Sequence, residues 1–331
     1  MGSTNEYLQN AKSNKNDEFY TTYSTIQNEV THYKKSFWGK TVFCNCDDPY
    51  KSNFVKFFIR NFNKFGLKRL ICTSYSRSPK HGLLLDITNV PNNNGQELTD
   101  YDIKQVVMTH GIQSLKGDGD FRSNESLKLL KQADIVVTNP PFSLFRELIS
   151  LLIQYDKKYL LIGNMNAINY KEIFPLIKNN RAWLGYHNGE MSFMVPKDSQ
   201  PRKTRYWVDK NGQKWRSLGN AMWFTNLDVS YRHNWLELKK SYDATNYPKF
   251  DNYNAIFVPK VADIPKDYMG LMAVPITILT KYNPNQFAIV GEANHGSDNP
   301  YDLFKPVING QLKYKRIIIR NKLGEKRKIN A

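Results

Sequence analysis

The stretch Asp134-Ile-Val-Val-Thr-Asn-Pro-Pro-Phe142 decides how this chain reads. Ile135 to Thr138 are all β-branched and show no polar alternation, the pattern of a short strand buried on both faces of a parallel sheet. Asn139-Pro140-Pro141-Phe142 stops that strand, because two consecutive prolines cannot donate to a sheet and do not fit a helix interior. Apolar residues at 144, 145, 148, 149 and 152 then recur at helix spacing. In an open α/β sheet the loop between strand end and helix is where ligands bind. A rigid loop carrying an amide and an aromatic ring there is suited to holding one flat polar group.

The flanking sequence builds the same architecture. Upstream, residues 17–37 open a helix-like segment with apolar positions at Ile26, Val30, Tyr33 and Phe37, and Thr41 to Cys46 reads as the first buried strand. Asp47-Asp48-Pro49-Tyr50 is a turn, and Ser52 caps a helix with Phe54, Val55, Phe58, Phe62 and Phe65 on its apolar face, stopped at Gly66. Arg69 to Thr73 is the second strand. Residues 75–110 fit no strand–helix unit and read as an inserted hairpin. A glycine-hinged loop, Lys116 to Phe121, leads to a helix over 124–132, and Lys158 to Gly163 is a further parallel strand. Strand and helix alternating over 41–180 is the signature of a doubly wound α/β sheet. Beyond Arg181 helical periodicity fades; Ala221–Thr225, Ala255–Val258 and Pro275–Leu279 read as strands, and the tail packs Ile317 to Ile319 between basic residues.

Composition narrows the partners. The chain has 331 residues and a net charge of +17. Residues 1–180 carry 23 Lys/Arg against 17 Asp/Glu, and residues 181–331 carry 24 against 13. An excess of that size, weighted to one part of the chain, points to a polyanion, most simply nucleic acid. No apolar run approaches the roughly 18 residues that span a bilayer, and no signal-peptide pattern opens the chain. The three cysteines, Cys44, Cys46 and Cys72, sit in strand-like runs and read as buried thiols; Cys44-x-Cys46 lacks a second Cys/His pair, so no metal is expected.

The Asn139 side-chain oxygen and the Pro140 carbonyl can both accept hydrogen bonds. Two acceptors aimed at one aromatic amino group draw its nitrogen toward pyramidal geometry and free a lone pair otherwise delocalised into the ring. Phe142 offers a flat face for stacking. Such a nitrogen attacks a reactive electrophile, such as a sulfonium methyl, without a matched general base. A plain turn is the competing reading of the tetrapeptide, which by itself does not separate nucleic-acid bases from a glutamine amide. Of the residues around it, Asp48 after the first strand can meet a cationic amino group, and Ser52 begins a helix whose N–H groups favour a carboxylate. Asp120 can accept from an adenine amino group, with Phe121 packing the ring. The second strand ends without a carboxylate to grip a ribose diol.

These stretches resemble the S-adenosylmethionine-dependent amino-group DNA methyltransferases, and within them the EcoRI-type adenine-specific modification methylases. The shared residues run through Asp17–Thr21, Cys44–Pro49, Gly117–Ser123, Asp134–Glu147, Asn226–Asp228, Tyr247–Lys249, Asp251–Tyr253 and Val274–Thr277. The resemblance implies a Rossmann-like methyltransferase sheet with a C-terminal, more irregular α+β target-recognition region. It implies S-adenosylmethionine as cofactor, with Tyr20 and Thr21 at its methionine end, Asp48 as the acidic contact, Ser52 nearby, and Asp120 with Phe121 at its adenine. Asn139, Pro140, Pro141 and Phe142 match the catalytic motif, and Asn in first place favours adenine N6 over cytosine N4. In place of a Gly-rich loop after the first strand this chain has Pro49-Tyr-Lys-Ser-Asn53.

The expected organisation is a flexible arm over 1–18, a cofactor-binding and catalytic domain over 19–185, a target-recognition region over 186–260, and C-terminal strands with a basic tail over 261–331 packing back on the catalytic domain. Double-stranded DNA is the expected partner, with Arg202, Lys203, Arg205, Lys214 and Arg216 as contacts and no membrane association. The protein is expected to act as a monomer on DNA, in the cytoplasm, encoded by a bacterium or a phage. A base buried in a duplex must be flipped out to reach the pocket. RNA-base methylation and a catalytically dead DNA-binding fold stay open as alternatives.

Overall fold

The computed structural model describes residues 20–76, 80–92 and 95–322. The chain forms two compact units, one of residues 1–165 and 185–228, the other of 166–184 and 229–331. The division at 228 falls inside the segment 186–260, so the expected recognition region is shared between them. The expected arm, 1–18, lies outside the described residues.

The first unit is built on a ten-stranded sheet. Its strands are β1 (Tyr20–Thr21), β2 (Thr41–Cys44), β3 (Arg69–Ser74), β4 (Leu83–Ile87), β5 (Gln113–Ser114), β6 (Ile135–Thr138), β7 (Lys158–Asn164), β8 (Trp183–Met194), β9 (Tyr206–Val208) and β10 (Lys214–Thr225). They lie in the order β1-β8-β10-β7-β6-β2-β3-β4-β5, with β9 paired only to β10. The middle four, β7-β6-β2-β3, are parallel. Every residue of β2 and β6 is buried, as an uninterrupted apolar run requires. Asp134 fixes where these two strands begin: its Oδ2 accepts from Thr41 N at 2.8 Å and its own N donates to Thr41 O at 2.9 Å. The chain runs from β2 outward to β3 and later returns to the other side of β2 as β6. Between β2 and β6 the strand order therefore reverses, the point at which open α/β sheets bind ligands.

The phenylalanine-rich helix behaves as its spacing demands. Asn53–Arg60 buries Phe54, Val55, Phe57, Phe58 and Ile59. Phe37 meets Phe58 at 5.4 Å and Phe65 at 5.7 Å between ring centroids. Gly66 ends this run at φ 61°, with the Trp38 indole lying where a Cβ would stand, so two requirements fix glycine there.

Four local expectations differ from the structure. Residues 20–21 are a strand rather than a helix start, because Thr22 caps the following helix, Tyr23–Val30, by accepting from Thr25 N at 3.1 Å. Residues 75–110 do supply an antiparallel partner for β3, but they also hold a helix, Asp100–His110, opened by a Thr99/Asp102 capping box. After Pro141 the chain makes a 3₁₀ turn, Phe142–Leu144, before the helix Phe145–Gln154. Pro275–Leu279 is not a strand. The strand is Leu271–Val274, and Pro275, lacking an N–H, ends its pairing and starts a 3₁₀ turn over Ile276–Thr280.

The second unit carries β11 (Lys249–Phe250), β12 (Tyr253–Phe257), β13 (Leu271–Val274), β14 (Phe287–Ala293), β15 (Asp302–Phe304), the small hairpin β16 (Val307–Ile308) and β17 (Gln311–Leu312), and β18 (Arg316–Asn321). Its six-stranded sheet runs β11-β12-β13-β18-β14-β15. Ile317 to Ile319 form the buried centre of β18, antiparallel to both β13 and β14. A buried carboxylate, Glu292, is satisfied inside this unit: Asn299 Nδ2 donates to its Oε1 at 2.6 Å. In the orientation that satisfies both ends of its amide, Asn169 donates to Glu292 Oε2 and accepts from Lys315 Nζ, each at 2.9 Å.

Candidate active site

The loops at the carboxyl ends of β2 and β6 lie side by side at the reversal point, and a chain of hydrogen bonds joins them. Thr138, the last residue of β6, donates from Oγ1 to Asp47 Oδ2 at 2.7 Å. Ser52 donates from Oγ to Asp47 Oδ1 at 2.6 Å and accepts from Phe54 N at 3.0 Å, capping its helix. The next residue, Asn53, donates from Nδ2 to the Thr21 carbonyl at 2.8 Å. Thr21 Oγ1 in turn accepts from Asn139 Nδ2 at 3.1 Å. Asn139 is bonded to Thr138 along the chain, so the circuit closes. With Nδ2 on the Thr21 hydroxyl, Oδ1 is the acceptor end of the Asn139 amide.

The sequence reading singles out Asp48, and the structure ties its neighbour Asp47 into the circuit. Asp47 is buried, its backbone N donates to Thr73 O at 2.9 Å, and both carboxylate oxygens bind hydroxyls. Burial pushes its carboxyl up to about 6; the hydroxyls of Ser52 and Thr138 oppose that rise and the charge of Asp48 adds to it. Asp48 is half-buried, and its Oδ1 accepts from Tyr50 N at 2.8 Å within its own turn. Two adjacent acidic residues look alike in sequence, and only the distant Thr138 tells them apart. Cys46 stands between these groups and Asp120; burial first, then the charge of Asp47, pushes its thiol well above the ordinary range.

Asp120 lies on the loop that crosses the end of β3. Gly119, at φ 84°, packs its Cα face directly on the Ser74 carbonyl, so no side chain fits at that crossing. Asp120 is clamped by Arg122, with Nε to Oδ1 at 2.9 Å and Nη2 to Oδ2 at 2.6 Å, and this pairing holds its carboxyl below the usual range. Arg122 also reaches Glu147 Oε2 at 2.5 Å on the helix after the catalytic motif. Arg122 N also donates to Oδ1 at 2.8 Å, so the lone pair left over on Asp120 is that of Oδ2. Phe121 is buried beside it, and Tyr20 is exposed. Pro140 is buried, while Asn139, Pro141 and Phe142 are half-buried. Asn45, at the end of β2, presents a buried Oδ1 without a hydrogen-bond partner among the described residues. That orphaned acceptor, the acidic lip of Asp48 and Asp120, and the buried Phe121 ring fit a cofactor that is cationic and carries amino groups.

The five expected DNA contacts gather around a β-ribbon. β9 and the start of β10 pair antiparallel around the Asp209–Gly212 turn, with Trp207 opposite Trp215 and Tyr206 opposite Arg216. The two indoles are parallel within 4° at 6.1 Å, and Trp215 Nε1 donates to Asp209 Oδ2 at 2.9 Å. Trp207 remains 41% exposed, enough to leave a ring face to a ligand. Lys214 reaches the Ser199 carbonyl at 2.9 Å, the Arg205 guanidinium lies against Gly219, Arg202 and Arg216 are half-buried, and Lys203 is exposed. Residues 202–216 hold six Lys/Arg and one acid, Asp209. β10 passes the end of β7 at Ala221, opposite Asn164. Trp215, six residues on, thus lies roughly 20 Å beyond that end at ~3.3 Å per residue, on the side where Asn139 stands.

Among the described residues no group of three or more His, Cys, Asp or Glu could hold a metal ion, and no helix is long and apolar enough to cross a membrane. The family model that matches the chain is that of the adenine-specific methyltransferase EcoRI, over residues 7–322. The chain is 47% identical to the Type II methyltransferase M.EcoRI of Escherichia coli, covering 98% of this chain and 99% of that protein. It is 40% identical to the Type II methyltransferase M.MgeORF184P of Mycoplasma genitalium, covering 95% and 98%. It is also 40% identical to the Type II methyltransferase M.MpnI of Mycoplasma pneumoniae, covering 86% and 85%. No solved structure gives a significant match.

Proposed function

The chain belongs to the family of the adenine-specific methyltransferase EcoRI, and from that premise we propose how its own residues methylate adenine N6 in DNA. It is a site-specific DNA adenine methyltransferase, the protective half of a restriction–modification system. S-adenosylmethionine, when bound, supplies the electrophilic methyl group. The residues that would hold it are Tyr20 and Thr21, Asn45, Asp48, the Ser52 end of its helix, Asp120 and Phe121.

The chain's part is to capture and orient one base. Asn139 Oδ1 and the Pro140 carbonyl accept the two hydrogens of the adenine amino group, and the half-buried Phe142 ring stacks on the base. Drawing both hydrogens to one side localises the nitrogen lone pair opposite them. As the nitrogen gains its methyl group it loses one of those hydrogens as a proton, and an acceptor already in contact lowers the barrier to that loss. The adenine reaches this pocket by leaving the duplex. The ribbon of Tyr206 to Arg216 lies alongside the DNA: a two-stranded ribbon fits the major groove, Trp207 packs on the DNA, and Arg202, Lys203, Arg205, Lys214 and Arg216 hold phosphates or base edges. One pocket acts on one base, so the protein works as a monomer, in the cytoplasm where its DNA is.

The observation that carries this reading is the fixed amide of Asn139, whose Nδ2 is held by Thr21. The test is Asn139→Ala with duplex DNA, RNA and labelled cofactor. Methyl transfer to duplex DNA should fall by about 10²–10³ or more while cofactor affinity stays within a few-fold. Transfer by that variant at the wild-type rate would sink the mechanism, and preferential labelling of RNA by the native chain would change the substrate.

A further inference from the structure

We infer that Asp47 is a positioning residue, which holds the catalytic Asn139 in register with the cofactor side of the pocket through the hydrogen-bonded circuit Asp47–Thr138–Asn139–Thr21–Asn53–Ser52. This rests on the reading of Asn139 as the acceptor of the adenine amino group.

Three stretches far apart in sequence meet in this circuit: β1, the loop after β2 with the helix start at Ser52, and the end of β6 with the catalytic loop. Asn139 is fixed from two sides. Its amide nitrogen is held by Thr21, and its backbone follows a threonine whose hydroxyl is tied to Asp47. Ser52 and Asn53 are consecutive, so the helix start that binds Asp47 also grips the carbonyl of the residue that holds Asn139. A shift of either loop is thereby transmitted to the catalytic oxygen.

A structural alternative for Asp47 is that it only caps the helix. Ser52 already does that, since its Oγ accepts from Phe54 N. Asp47 adds the bond across the strand reversal, and a buried carboxylate is a costly way to add it. Only the ionised form offers acceptors to both hydroxyls without a proton of its own. The raised carboxyl of Asp47 therefore gives the circuit a pH limit at about 6. The titratable groups facing it are Asp48 and Cys46 on its own loop, Cys44 at the end of β2, and Asp120, which faces Cys46 from the loop crossing β3. Thr138 and Ser52, which touch it from the other elements, do not titrate.

The test uses the full chain with Asp47→Asn, Thr138→Val and Thr138→Ser, and a target duplex carrying a fluorescent adenine analogue at the methylated position. A displacement of about 1 Å at a catalytic group can cost on the order of 100-fold in rate. Asp47→Asn and Thr138→Val should therefore lower kcat by about 10–100-fold, with KM for DNA and the cofactor Kd within about threefold. Thr138→Ser, which restores the hydroxyl, should recover most of the rate. The fall of wild-type kcat below about pH 6 should vanish in Asp47→Asn. The fluorescence change on base capture should persist in every variant, because the base still leaves the duplex, while its decay should broaden as the base loses a single held position. The inference is overturned if Asp47→Asn and Thr138→Val keep kcat within twofold. It is equally overturned if their cofactor affinity falls in step with rate, since Asp47 would then be a cofactor ligand. Neither result bears on Asn139→Ala, which judges the reading beneath it.

Discussion

The catalytic strand end and the ribbon are held in opposite ways. At the two ends of β6, the fixing hydrogen bonds join residues 91, 93 and 118 positions apart: Thr138 to Asp47, Thr41 to Asp134, and Asn139 to Thr21. In the ribbon the turn is closed by bonds two, four and six residues apart to the Asp209 carboxylate, and the longer ones, Lys214 to Ser199 and Gln213 to Val195, reach only the segment just before it. One place is rigid because the whole sheet has folded around it; the other carries its own brace. The contrast suits two tasks. In the proposed reading, an amide that must aim one lone pair gains from being over-determined, whereas a surface laid along a DNA groove gains from a brace close to its own turn.

If that difference is functional, substitutions at the two places should fail differently. Among substitutions that leave Asn139 in place, the largest effect is expected from Phe142→Ala, which removes the proposed stacking face. Base–aromatic stacking is worth about 1–3 kcal/mol per base. Capture of a fluorescent adenine analogue should weaken by roughly 5–150-fold while cofactor affinity is unchanged. Equal loss of both would show that Phe142 shapes the cofactor pocket instead. Trp207→Ala comes next, with duplex affinity expected to fall about tenfold. Because an indole releases no counterions, the slope of log affinity against log salt should not change. Lys203→Ala should cost only a few-fold in affinity and reduce that slope by about one, uniformly across DNA sequences. A lysine variant that altered sequence preference without changing the slope would move Lys203 from phosphate contact to base reading.

How much of this was legible beforehand follows the same division. The break at Asn139 to Phe142 announced itself because two prolines directly after a β-branched run end a strand. Ser52 as a helix cap and the apolar run Ile317 to Ile319 were equally local signals. The Asp47 circuit was not legible, since nothing near Asp47 marks it over Asp48; the selecting group is Thr138, brought in by β6. The helix Asp100–His110 was missed although Thr99 and Asp102 stood at capping-box spacing, because the asparagine-rich segment before it drew the reading toward a loop. Pro275 to Leu279 failed for a different reason: an apolar β-branched run behind a proline was read as strand, but the pairing had already ended at Val274.

The smallest expected effect is the one that best separates the two places, and it is a pH response. Trp215, by hydrogen bonding, and then the local backbone N–H groups hold the Asp209 carboxyl below its ordinary value. A depressed carboxyl contributes a brace that is present above the unfolded value near 3.9 and is lost only as pH falls through the folded one. Asp47 runs the other way. Its folded value of about 6 exceeds the unfolded one, so the native state binds this proton more tightly. Its contribution to stability is then greatest at low pH and falls as pH rises through about 6, while the ionised circuit that aims Asn139 forms over the same interval. Lowering the pH from 7 to 5 should therefore reduce turnover with little change in the ribbon, read as the quenching of tryptophan emission by saturating duplex DNA. A parallel loss of quenching and turnover would mean that the ribbon is not self-braced. The protein would then tolerate a destabilised carboxylate at its centre for some purpose other than holding Asn139.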